Sequence, residues 1–318
     1  MKITIIYHLY NKSINLIHSL ESIINQDSAN YELILLCDLV DDSVFKIIQE
    51  KNIISRPNVR LIKFFENRGR SFTYNFALEK AKGNYVYFAE PKIILEKTFV
   101  SSLEKVINEY EYDYVSFLSN KIHAEYLSES YEIDMSTIDE KIKTIVNTKL
   151  STKDKIFNRD FLIKNKIEFI PYKNFCSLYM YDILEISKKA YFLSKNLISV
   201  KREPKHKYEY NLYNILESAE ILMNTLNKKN VNEKTEAYKS WIPVVILYEF
   251  IKKIYYSYFK NEKIVAKSID NALAVLDKIY PNFKFNQYIE LMLRKDIYEY
   301  IKNFDKSIKY VRKHINRF

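Results

Sequence analysis

The sequence predicts an α/β fold in which a mostly parallel sheet lies between helices and is followed by an all-helical C-terminal region. In roughly the first 100 residues, short β-rich runs alternate with amphipathic helical patterns, as in consecutive βαβ units. Beyond residue 211, nearly every segment has helical periodicity. We therefore predict a domain over residues 1–210 and a helical region over residues 211–318.

Strands and helices alternate in the first part of the chain. The four predicted strands are Ile3–Tyr7, Glu32–Leu36, Val59–Phe64 and Tyr85–Phe88. The three predicted helices are Ile14–Asn25, Ser43–Lys51 and Ser71–Lys80. Gly83 lies between the third helix and the fourth strand, where we expect it to end the helix.

The later elements are predicted from weaker patterns. Between Phe99 and about Tyr208 the pattern is mixed, with further strands at Tyr114–Leu118 and Leu197–Lys201. Five amphipathic helices are predicted after that: Ile215–Leu226, Glu236–Phe259, Lys263–Ile279, Phe285–Ile297 and Tyr300–Ile315. The apolar stretch Trp241–Ile251 is shorter than the about 20 residues that a spanning helix needs, so we interpret it as a core helix.

The chain carries a formal net charge of +10, which would suit nucleic acid, anionic lipid or a diphosphate substrate. Basic residues become denser between Arg294 and Arg317, where aromatic residues are interleaved with them. This pattern is typical either of a solvated helix face or of a helix on an anionic membrane surface. No recognised nucleic-acid-binding motif accompanies the charge, so we expect no nucleic-acid partner.

The two cysteines and the start of the chain bear on location. Cys37 and Cys176, which we place at the end of a core strand and in a buried loop, have no Cys-x-x-Cys spacing. This argues against both a disulfide framework and a thiolate zinc site. The chain begins with a strand pattern rather than a signal peptide. We expect a cytoplasmic protein, with peripheral binding to the inner face of the membrane as an alternative.

Polar and aromatic side chains follow all four early strands: His8 and Tyr10, Asp38, Arg68 and Arg70, and Glu90 and Lys92. Ligands of an open parallel sheet bind at the carboxyl ends of its strands, where the strand order reverses. One edge of the sheet therefore gathers an aromatic ring, carboxylates, two arginines and a lysine. Such a group of side chains suits a base, a ribose and a diphosphate.

Several segments share their order and spacing with one family. They are Tyr10–Asn11, Leu20–Gln26, Glu32–Asp38, Asn67–Asn75, Ala81–Lys92 and Lys155–Leu162. Over roughly residues 1–205 they resemble the glycosyltransferases of family 2, which have the GT-A fold. The resemblance implies transfer of a sugar from a nucleotide-sugar donor, here a UDP-sugar, to a cell-surface glycan, a glycolipid or a protein.

The resemblance also implies roles for individual residues. Tyr10 would stack on uracil, and Asp38 would hydrogen-bond it, with Cys37 replacing the first aspartate of the family's pair. His206 follows the last predicted strand, where some GT-A enzymes place a metal-binding or acceptor-site histidine. His8, at the end of the first strand, is a further candidate for substrate binding.

The family's metal-binding Asp-x-Asp reads Glu90-Pro91-Lys92 in this chain. Family members hold Mn²⁺ or Mg²⁺ through the second carboxylate of that motif, and the cation neutralises the departing nucleoside diphosphate. An ammonium repels a cation, so we expect the usual metal site to be missing here. Lys92, assisted by Arg68 or Arg70, would contact the diphosphate directly, and Glu90 would reach the ribose.

The family's general base is an aspartate that follows the segment matching Glu168–Phe169. No carboxylate occurs from Ile170 to Ser177, so Asp182 is the nearest candidate. Three hypotheses follow. The chain is an active glycosyltransferase with a metal-poor site, or a catalytically silent GT-A protein that binds a partner transferase or a glycan, or an enzyme whose acceptor is already anionic. The Tyr-rich helical region is also suited to self-association.

Overall fold

The computed structural model describes residues 2–9, 14–120, 129–147, 151–170 and 176–201, with isolated positions between 224 and 278. Tyr10, His206 and the apolar stretch Trp241–Ile251 lie outside the described residues. So does the basic C-terminal segment, and the described positions beyond residue 211 are helical. The chain divides into two compact units, Met1–Ser136 with Leu150–His206, and Thr137–Lys149 with Lys207–Phe318. The predicted boundary near residue 210 stays a prediction.

Strands and helices alternate from the start of the chain. The strands are β1 Ile3–Leu9, β2 Tyr31–Asp38, β3 Val59–Phe64, β4 Tyr85–Ala89, β5 Ile93–Leu95, β6 Tyr114–Ser119, β7 Tyr131–Asp134, β8 Lys155–Asn158 and β9 Lys189–Val200. The helices are α1 Leu16–Ile24, α2 Asp42–Glu50, α3 Arg70–Lys80, α4 Phe99–Glu109, α5 Ile138–Asn147, α6 Arg159–Lys164 and α7 Cys176–Ile186. No helix in the described part of the chain has the length and apolar character that crossing a membrane requires.

Within the described ranges the strands form one sheet, in the order β3-β2-β1-β4-β8-β6-β9-β5, and β7 also pairs with β9. Strands β3, β2, β1 and β4 are parallel, and β8 is antiparallel to both β4 and β6. Strands β2 and β3 follow on one side of β1, whereas β4 lies on its other side, so the strand order reverses between β1 and β4. The carboxyl ends of these two strands flank the crevice in which ligands of such sheets bind. The predicted α/β fold with a mostly parallel sheet is confirmed.

Helices cover both faces of the sheet. The alternation of β4 shows this, because Tyr87 packs on Phe99 of α4 and Phe88 packs on Tyr74 of α3 and Tyr179 of α7. All residues of β1, β2 and β4 are buried, as expected for strands covered on both sides. Buried side chains therefore pack against helices on both faces of the sheet.

The first four predicted strands and three helices are confirmed, with ends shifted by up to two residues. Strands β5, β7 and β8 were not predicted, nor were helices α4 to α7. The predicted strand at Leu197–Lys201 is the end of the longer β9. Cys37 does end a core strand and is buried, whereas Cys176 begins α7 and is not in a loop.

Gly83 has a different role from the one predicted, because its φ is not in the left-handed region that ends helices. Its backbone N–H donates to Thr4 Oγ1 at 2.8 Å, and that hydroxyl donates to Glu32 Oε1 at 2.8 Å. A Cβ at residue 83 would lie 2.5 Å from the backbone nitrogen of Thr4. The glycine is therefore required by the close approach of the chain to β1.

Candidate functional site

Asp38 ends β2 and fixes the loop that leads into α3. Its side chain is fully buried. The backbone N–H of Arg68 donates to Oδ1 at 2.8 Å, and that of Gly69 donates to Oδ2 at 3.0 Å. Gly69 has a φ of 77° and a ψ of 156°, a conformation that favours glycine. Asp38 thus sets where α3 begins.

His8 joins the same group from the end of β1. Its Nε2 lies 3.1 Å from Asp38 Oδ2, and the ring packs edge-on against Tyr74. Burial lowers the pKa of His8, against the opposing effect of the Asp38 hydrogen bond and charge. We therefore assign a neutral ring that donates its Nε2–H to Asp38.

This arrangement predicts a pH dependence of stability. Because the pKa of folded His8 is below its ordinary value of 6.5, the unfolded chain takes up a proton first as the pH falls. The stabilisation is present above that ordinary pKa and is lost as the pH falls through the folded pKa. His8→Gln is expected to remove this part of the slope, which is at most about 1.4 kcal/mol per pH unit.

Urea unfolding at pH 7.5, 6.5 and 5.5 measures the effect. The matched control is His18→Gln, because His18 is exposed on α1. It should change the free energy of unfolding at pH 7.5 by less than about 0.5 kcal/mol, as expected for an exposed side chain. An identical slope in wild type and His8→Gln would contradict the assignment of a neutral His8.

Glu90 follows β4 and lies among three cations. Its Oε1 is 2.5 Å from Arg70 Nη1, and its Oε2 is 2.9 Å from Lys92 Nζ and 3.5 Å from Lys153 Nζ. Arg70 begins α3, whereas Lys153 precedes β8, which is antiparallel to β4. We call these four residues the Glu90 cluster. It lies at the carboxyl end of β4, beside the point where the strand order reverses.

Charge interactions determine the ionisation of the Glu90 cluster. Burial alone would raise the pKa of Glu90, but Lys153, Lys92 and Arg70 together hold it well below its usual range. Burial alone would lower the pKa of Lys92, yet the Glu90 charge and hydrogen bond raise it. Glu90 is therefore a carboxylate and Lys92 an ammonium at neutral pH.

The backbone around Glu90 is held by three other elements. The Tyr74 hydroxyl donates to the carbonyl of Ala89 at 3.1 Å. Ser19 Oγ of α1 donates to the carbonyl of Ile93 at 2.5 Å, and the N–H of Lys201 donates to the carbonyl of Lys92 at 2.9 Å. These bonds fix the segment before any ligand binds.

The structure brings some of the predicted site residues together and separates others. His8 and Asp38 are in contact, and Arg70, Glu90 and Lys92 are in contact. The Arg68 side chain instead pairs with Glu66, and its guanidinium lies 5.5 Å from the ring centroid of Phe72. Asp182 lies half-buried in α7. Tyr10 and His206 lie outside the described ranges, so the roles expected of them stay predictions.

Two residues modify the predicted site. Lys153 was missed by sequence reasoning, although it stands just before the Lys155–Leu162 block used for the resemblance. Its carbonyl accepts a 2.8 Å hydrogen bond from the Tyr87 hydroxyl of β4, which holds it near the strand end. Cys37 occupies the position of the family's first aspartate, and burial raises the pKa of its thiol to about 11, so the thiol is neutral.

The described residues at the Asp-x-Asp position, Glu90 and Lys92, do not fit a divalent cation. The residue there is Lys92, and the nearest carboxylate, Glu90, is already in contact with three cations. Among the described residues, no group of three or more His, Cys, Asp or Glu side chains could hold a metal ion.

Comparison with known proteins places this geometry in a family. Residues 4–173 match Glycosyl transferase family 2. The chain is 34% identical over 113 residues to the glycosyltransferase GlyA of Streptococcus pneumoniae, a match that covers 35% of this chain and 16% of that protein. The chain spans less than half the length of the curated relatives it matches.

Solved structures share the fold. S. aureus TarS 1-349 in complex with UDP-GlcNAc has a TM-score of 0.67 at 19% identity, covering 98% of this chain and 90% of that one. The mannosyltransferase PcManGT from Pyrobaculum calidifontis, in complex with GDP-Man and Mn²⁺, has a TM-score of 0.57 at 13% identity, covering 99% and 84%. The GT-A fold implied by the resemblance is confirmed.

Proposed function

This chain belongs to glycosyl transferase family 2, and from that membership we propose that it transfers a sugar from a nucleotide-sugar donor to an acceptor. The donor proposed is UDP-linked, in line with the UDP-GlcNAc complex of the similar TarS. The acceptor proposed is a cell-surface glycan, a glycolipid or a protein. Donor binding would use a site poor in metal-binding groups.

One observation carries the proposal. The His8–Asp38 pair and the Glu90 cluster end three parallel strands at the point where the strand order reverses, the usual ligand crevice of such a sheet. Their hydrogen-bonding and positively charged groups suit a nucleoside diphosphate. Asp182 of α7 is our candidate for the general base, and Glu90 is our candidate for the ribose contact.

Release of UDP from UDP-sugars tests the activity. Wild type is expected to release UDP slowly by hydrolysis without an acceptor and faster with the correct glycan or glycolipid. Asp182→Asn should lower the rate by about 100-fold, as expected for loss of a general base. Glu185→Gln, in the same helix, is the matched control and should leave the rate unchanged. Equal rates in both variants would argue against Asp182 as the base.

A catalytically silent protein that binds a partner transferase or a glycan is the second candidate, favoured by Lys92 at the metal position. It predicts no UDP release from any UDP-sugar. An enzyme with an anionic acceptor would instead be active but would lack the acidic limb of the pH–rate profile.

Three further expectations stay predictions from the sequence. They are peripheral membrane binding through the basic C-terminal segment, cytoplasmic location and self-association.

A further inference from the structure

The Glu90 cluster has more positive than negative charge. One carboxylate, Glu90, faces one guanidinium and two ammonium groups. The nearby Lys155 does not add to this excess, because its Nζ lies 2.7 Å from Asp154. The three cations of the Glu90 cluster therefore converge at the position where family members hold a divalent cation.

The three cations remain accessible to a ligand. The side chains of Arg70, Lys92 and Lys153 are 29%, 35% and 29% exposed, whereas Glu90 is 12% exposed. A lysine has three N–H donors and an arginine five, so each of these groups has enough donors to contact both Glu90 and a phosphate oxygen. Glu90 is thus more buried than the three partly exposed cations around it.

The positions of the cations are set in advance by the fold. Arg70 is placed by the Asp38 bonds at the start of α3, and Lys92 by the bonds of its segment to Tyr74 and Lys201. Lys153 is placed by the bond from Tyr87. Cations held in place in this way stabilise a developing anion with little reorganisation.

We propose that Arg70, Lys92 and Lys153 bind the diphosphate of the donor directly and neutralise it in place of a divalent cation, with Glu90 as the counter-ion that holds them together. This inference rests on the proposed function for the identity of the donor. It adds Lys153 to the site and replaces the metal of the family with side chains. The ligand class is a nucleoside diphosphate, and its departing charge is taken up by the same three cations.

Calorimetric titration tests the proposal with UDP, GDP and inorganic pyrophosphate, each in EDTA and in Mn²⁺. Wild type should bind UDP with the same affinity, within about twofold, under both conditions. Lys92→Met and Lys153→Met should each weaken binding at least about tenfold, as expected for loss of a charged hydrogen bond. Lys92→Arg and Lys153→Arg keep the charge and should retain binding. Lys105→Met, on exposed α4 surface, is the matched control.

The outcomes separate this inference from the proposed function. UDP binding that requires Mn²⁺ and is unchanged in both methionine variants would overturn the inference, even if the protein transfers sugar. Metal-independent binding that depends on both lysines, without UDP release from any donor, would support the inference and count against the transferase. If a methionine variant does not fold, the effect of Mn²⁺ on UDP binding by the wild-type protein still tests the proposal. Binding of pyrophosphate tests the contact with the three cations alone, because pyrophosphate has no nucleobase.

Discussion

Replacing Gly83 with alanine is expected to lower the free energy of unfolding by about 3 kcal/mol or more. The added Cβ would lie 2.5 Å from the backbone nitrogen and 2.8 Å from the Oγ1 of Thr4. Thr4 belongs to the central strand β1 and cannot move without disturbing its pairing with β2 and β4. The same shift would break the buried bonds that join residue 83, Thr4 and Glu32. Urea or thermal unfolding measures the loss.

Gly69→Ala is the natural comparison, because Gly69 and Gly83 are the two glycines of the chain. A Cβ at residue 69 meets no atom within 4 Å, so the strain comes from its positive φ alone. We expect a loss of about 1–3 kcal/mol. A loss for Gly83→Ala no larger than that for Gly69→Ala would show that β1 yields to the extra methyl group.

Asp38→Ala is expected to weaken UDP binding at least about tenfold and to lower the free energy of unfolding by about 3 kcal/mol. The substitution removes the Asp38 acceptor from three donors: the N–H groups of Arg68 and Gly69, and the His8 ring. The Gly69 N–H keeps its 3.0 Å contact with Asn67 Oδ1. The start of α3 loses its fixed position, and Arg70 with it. Urea unfolding and calorimetry with UDP measure the two effects.

Asp38→Asn and an exposed aspartate serve as controls. Asparagine keeps the shape of the side chain but turns an NH₂ group towards the donors. Asp38→Asn should therefore lower UDP affinity and the free energy of unfolding less than Asp38→Ala does, but by a measurable amount. Asp160→Ala should change the free energy of unfolding by less than about 0.5 kcal/mol, because that side chain is 85% exposed. An Asp38→Ala protein with wild-type stability would mean that the loop before α3 does not depend on this carboxylate.

The sequence was sufficient to predict strands β1 to β4 and insufficient to predict β5, β7 and β8, for reasons visible in individual strands. Every residue of β1, β2 and β4 is buried, so each strand is a nearly continuous apolar run. In contrast β7 is four residues long and mostly exposed, and β8 is four residues long. Neither is long enough to show a period of two.

The candidate site shows the same limit. Arg70, Glu90 and Lys92 were identified because they follow predicted strands and match a known motif. Lys153 precedes a strand that was not predicted, and only the antiparallel pairing of β8 with β4 brings it to Glu90. The contacts of Asp38 also escaped prediction, because two of them come from backbone N–H groups that no side-chain pattern reveals. Its role in binding uracil stays a prediction.

The antiparallel docking of β8 on β4 also has a consequence for synthesis of the chain. A nascent protein that has emerged through β4 and its following turn already contains Arg70, Glu90 and Lys92. Lys153 reaches them only after about 60 more residues have been made and the loop between the two strands has closed. The Glu90 cluster therefore gains its third cation late, after β8 has paired with β4.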